Sequence, residues 1–158
     1  MKELFLLMNV VFFGYLSFIT LRYGIQTSVS ESYYRLPRNW QWVFTIITWA
    51  YALPAMIIGL DLTANGLVFL SGIGIAFVGA APAFKSLKLE RAVHTVGALV
   101  GIIGMMIFLS VIGYWYLVLL FTICSYLMYE IDRVNAVWWA ESFAFITLSF
   151  AYSLMLFF

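Results

Sequence analysis

Charge is what this sequence has least of. Asp, Glu, Lys and Arg make up 9% of the 158 residues, whereas an ordinary soluble domain carries roughly a quarter. Apolar residues reach 65%, with a mean hydropathy of +1.04, so the composition excludes a water-soluble globule. Cysteine occurs once, which excludes an intrachain disulfide; Cys124 lies in an apolar segment and reads as a small packing residue. Histidine also occurs once. One histidine and one buried cysteine do not supply the three or four ligands of a zinc centre, and HExxH, P-loop, GxSxG and CxxC patterns are all missing. The sequence thus implies no metal and no cofactor. The net charge of +1, without any run of Lys or Arg, argues against a nucleic-acid partner. Low-complexity segments are absent too.

What is present is a succession of apolar runs, each near the ~20 residues that a membrane-crossing helix needs. They cover about 4–21, 40–60, 67–84, 92–112, 114–129 and 136–157. The expectation is a single all-α domain over 1–158: a polytopic membrane bundle of six transmembrane helices. The first run follows Lys2 but lacks a small-x-small cleavage pattern, and it reads as a retained span. Asn65-Gly66 marks a tight turn between the second and third runs, and Gly113 another between the fourth and fifth. Lys85, Lys88, Glu90 and Arg91 read as a charged loop.

Seven of the eight basic residues fall in the three connections after the first, third and fifth runs, leaving only Lys2 on the other side. Because short loops rich in Lys and Arg stay in the cytoplasm, both termini are expected outside it, in a multi-pass protein of the plasma (inner) membrane. Pro54 and Pro82 are expected to kink the second and third spans by removing helical hydrogen bonds. Both lie in the first half, and no proline occurs in the last three runs, which opposes a three-plus-three inverted repeat. Gly97, Gly101 and Gly104 form one small-residue stripe and Gly72 and Gly79 belong to another; in lipid such stripes mark helix-packing faces.

The one long polar interruption is 25–39, IQTSVSESYYRLPRN. Its Ser30, Glu31, Tyr33 and Arg35 lie at the same expected end of the bundle as the two ionisable groups inside apolar runs, Glu141 and His94. Intramembrane ionisable groups are costly and face partners or water. The sequence therefore raises the expectation of a cytoplasm-facing polar pocket, walled by Glu141 and His94 with Glu31 at its mouth, that binds or transports a small solute, ion or lipid. A plainer expectation competes with it: Glu141 pairs with Arg133, Arg91 or Lys85 at the headgroup boundary. Two other functions stay open, a non-catalytic subunit or modulator of a membrane complex and, less favoured, a hydrolase joining a loop serine to His94. The partners implied are the bilayer and either other membrane proteins or a homo-oligomer.

Overall fold

The computed structural model describes residues 1–158, and it is all-helical with no strand. The long helices are α1 (Lys2–Tyr23), α3 (Trp42–Thr63), α5 (Lys88–Val111) and α7 (Ala136–Phe157). Two shorter ones, α4 (Val68–Ala80) and α6 (Trp115–Ile131), complete the bundle, and a single turn, α2 (Ser32–Arg35), lies in the polar loop. Four helices are long and apolar enough to cross a membrane, in place of the six expected. At 13 residues, α4 measures only about 20 Å, against about 30 Å of hydrocarbon.

The differences from the sequence reading have local causes. Pro82 does not kink the third apolar run but ends its helix: Ala81, just before it, leaves helical geometry with φ −120° and ψ 58°, as the clash of a proline ring with the preceding residue requires. Residues 81–87 therefore connect α4 to α5 outside any helix. Lys88, Glu90 and Arg91, expected in a loop, instead form the first turn of α5, where Glu90 accepts the Ala83 amide at 2.9 Å. α3 runs unbroken across Pro54. Gly113 separates α5 from α6 with φ 91°. The Tyr114 amide donates to Leu109 O and the Gly113 amide to Ser110 O, the paired bonds that close a helix when a glycine turns left-handed.

The helices run back and forth between two ends. At one, Lys2 lies 4.7 Å from the Phe157 ring centre; at the other, the Trp138 amide donates to Thr27 O and Lys85 reaches Glu31. Outward faces remain apolar: Val96, Leu99, Ile103 and Ile107 of α5 are exposed at helical spacing, a surface that suits lipid rather than water.

Two kinds of contact hold the interior. Around α1, α3 and α7, Phe12, Tyr51 and Phe145 pack ring to ring at 4.0–4.8 Å. The Tyr51 hydroxyl bonds to Phe145 O and Ser149 Oγ, and the Tyr152 hydroxyl donates to Ala55 O; buried phenols need such partners. Around α4 the contact is backbone to backbone. A Cβ at Gly74 would overlap Gly101 and the Gly97 carbonyl, one at Gly104 would meet Leu70, and Gly72 and Gly79 admit Met56 and Thr48 of α3. Glycine is what lets α4 lie this close to both neighbours.

Candidate functional site

The polar loop is strapped down by its own side chains. Gly24, with φ 77°, ends α1 and turns the chain. Buried Gln26 donates to Tyr23 O and Gly24 O, and its Oε1 accepts from Arg35 Nε at 2.6 Å. Ser28 Oγ caps the turn Val29–Glu31 by accepting the Glu31 amide. Ser32 Oγ shares a 2.7 Å hydrogen bond with Tyr15 of α1. Tyr33 packs edge-on against Tyr34 and Phe44, and burial pushes its phenol above the ordinary value.

Glu141 joins this loop to α7. The Val29 amide donates to its Oε2 at 2.6 Å, and the Ser30 amide is also directed at the carboxylate. No cation pairs with it. The two ion pairs of the structure are Lys85–Glu31, bonded at 2.7 Å, and Arg133–Glu130; Arg91 instead donates to Phe84 O and Lys85 O. The expected pairing of Glu141 with Arg133, Arg91 or Lys85 is thus replaced by backbone donors.

Beside the carboxylate lies a cavity of about 50 Å³ among α3, α4, α5 and α7, room enough for ordered water or a very small ligand. Glu141 and Ser30 line it at the loop end. Thr48 and Ser71 supply hydroxyls deeper in, Phe44 and Phe145 supply aromatic walls, and Gly97 and Gly101 leave the space open on the α5 side.

His94 is not part of that wall. Its ring stacks on Phe84 with centres 4.4 Å apart, and its Nδ1 is 3.0 Å from Ala81 O. Pro82 deprives the Val78 carbonyl of its normal amide donor, and that carbonyl also faces the ring. Thr45 donates to Gly79 O and Trp49 Nε1 to Ala76 O. The exposed carbonyls at the C-terminus of α4, which any helix end must satisfy, are thus met by side chains of α3 and α5, with His94 among them.

The structure brings Glu141 and Ser30 together and leaves His94, Glu31, Tyr33 and Arg35 in other contacts. No loop serine is hydrogen-bonded to His94. Sequence reasoning missed Ser71 and Gly74, which stand on α4 one helical turn apart, as well as the loop amides. A period-three scan of α4 finds the first two; no residue pattern announces a backbone donor. At the start of α7, Asp132 accepts from Asn135 and Trp139 Nε1, and these bonds, Asn135 first, hold its carboxyl below the usual range.

Fold and site together define a class: an all-helical bundle with several apolar helices suited to a membrane, enclosing an unpaired carboxylate at a small cavity. Comparison with protein-family models, with characterised proteins and with solved structures found no match for the chain.

Proposed function

We propose that this is a multi-pass protein of the plasma membrane that binds a small monovalent cation at Glu141, reached from the cytoplasmic side, as a step in holding or moving that solute. The observation that carries the reading is a carboxylate turned to a cavity with no positively charged partner. Such a group is expensive to keep in an apolar interior, and a bound cation offsets that cost. The other wall groups favour a small ammonium-type ion. Hard divalent ions require six or more oxygen ligands, whereas a carboxylate, a few hydroxyls and two aromatic side chains suit a protonated amine.

Cation and proton compete for the same carboxylate, so binding weakens as pH falls. Isothermal titration of the purified protein with ammonium, methylammonium and sodium chloride is expected to give a pH-dependent signal that Glu141→Gln removes while helicity is unchanged. Equal binding by native and variant protein would sink the proposal.

The orientation belongs to the same reading. Seven of the eight basic residues lie at the loop end of the bundle, which favours that end in the cytoplasm. The four long helices cross between the two ends in one sense or its reverse, and α4 and α6 with their connections carry the chain back to the loop end after α3 and α5. A cysteine at position 35 in a Cys124→Ser background is expected to resist an impermeant maleimide in intact cells and react after lysis, while one at position 2 labels in both. Labelling of position 35 in intact cells would reverse the orientation.

A further inference from the structure

A second hollow lies on the outside of the bundle, at the same end as the polar loop. It is a groove of about 510 Å³ between α1 and α3, walled by Val11, Tyr15 and Phe18 on one side and Val43 and Ile47 on the other, and roofed by Leu36-Pro37 and Trp40. Eight of its nine lining residues are hydrophobic, and Trp40 and Trp42 beside it are exposed. Exposed tryptophans at one level of an apolar bundle mark the boundary between hydrocarbon and headgroups. The groove thus starts at that boundary and runs inward at acyl-chain depth.

Its rim is positively charged. Arg22, in the last turn of α1, lies over the ring of Tyr23, itself a lining residue, at 5.8 Å. Arg38 directly follows the lining residue Pro37. Both arginines are exposed and neither takes part in an ion pair. Two exposed arginines next to lining residues of an apolar slot match a molecule with an anionic head and a hydrocarbon tail. Arginine binds phosphate oxygens with two donors at once.

We infer that this groove seats one anionic phospholipid of the surrounding leaflet, with an acyl chain along Val11, Phe18, Val43 and Ile47 and its phosphate between Arg22 and Arg38. The seat depends on insertion of the bundle in a membrane and not on cation binding at Glu141, so the two fail independently. The lipid fills a hollow that loose solvent chains would otherwise occupy, and it ties α1 to the first turn of α3.

Native mass spectrometry of the purified full chain, from detergent micelles doped with equal phosphatidylglycerol and phosphatidylcholine, tests the seat. One phosphatidylglycerol is expected to be retained preferentially, by about fivefold for each arginine. The double variant Arg22→Gln/Arg38→Gln, altered only at exposed positions, is expected to lose the preference. Val43→Trp, which fills the groove, is expected to reduce retention of both lipids; Val11→Trp on the opposite wall does the same should the first variant misfold. Equal retention of the two lipids by the native chain, a preference that survives the double arginine change, or undiminished retention in a folded groove-filling variant each overturns the inference.

Discussion

Gly74→Leu is expected to be the most damaging single substitution in the chain, lowering the Tm of the detergent-solubilised protein by about 6–12 °C. A Cβ at this position overlaps the backbone of Gly101 and the carbonyl of Gly97, and neither can rotate away as a side chain tip would. α4 must then withdraw from α5, opening the crossing that also includes Gly104 and Leu70. Overpacking costs about 1–3 kcal/mol where side chains can yield; a backbone obstacle brings it to about 3 kcal/mol or more, and each kcal/mol is worth about 2–4 °C in a chain of this size. The control is Gly14→Ala. Nothing lies within 4 Å of a Cβ there, and replacing a mid-helix glycine by alanine gains up to about 1 kcal/mol of helix preference. Thermal melts of the two variants moving in opposite directions would support close backbone packing at Gly74; a Gly74→Leu melt within 2 °C of native, as an order-of-magnitude threshold, would refute it.

The second large effect is local. Glu141→Leu removes the acceptor of the Val29 amide, and a hydrogen bond to a charged acceptor is worth about 1.5–3 kcal/mol. Amide exchange at Val29 and Ser30 is therefore expected to accelerate about 10–100-fold, while the amides of the long helices keep their protection. Glu141→Gln retains an acceptor oxygen and is expected to accelerate exchange much less. That contrast separates the observed strap from the proposed cation binding: the glutamine variant loses the negative charge that the proposal requires but keeps much of the strap. Unchanged exchange at Val29 in the leucine variant would mean that Ser28, Gln26 and Tyr15 hold the loop without Glu141.

Composition and hydrophobic run length were sufficient to read the helical class, because an apolar chain in lipid has few ways to satisfy its backbone. They overstated the third run. Residues 67–84 carry no charge and only one hydroxyl, Ser71, yet hydropathy does not register the geometry that Pro82 imposes on Ala81, and α4 ends at Ala80. Charge misled in the opposite direction at Lys88, Glu90 and Arg91, which read as loop but begin α5; long charged side chains at a helix end can reach the headgroups. The site was legible in part. Glu141 and Ser30, conspicuous as ionisable and polar groups in such a chain, do lie together beside the cavity. His94 was equally conspicuous but is engaged with carbonyls freed at the end of α4, and the partners of Glu141 are main-chain amides, which carry no residue-type signature.

The shortness of α4 also bears on the membrane itself. In the proposed orientation, a helix of about 20 Å set in a slab of about 30 Å would leave the 81–87 segment, with Lys85, below the headgroup plane unless the lipid surface dips to meet it. The least costly adjustment to such mismatch is a bilayer pinched on that flank. The bundle would then deform its surroundings asymmetrically and be most at ease in thin, fluid membranes, with the indentation bringing water to the side of the molecule where Glu31 and Lys85 meet.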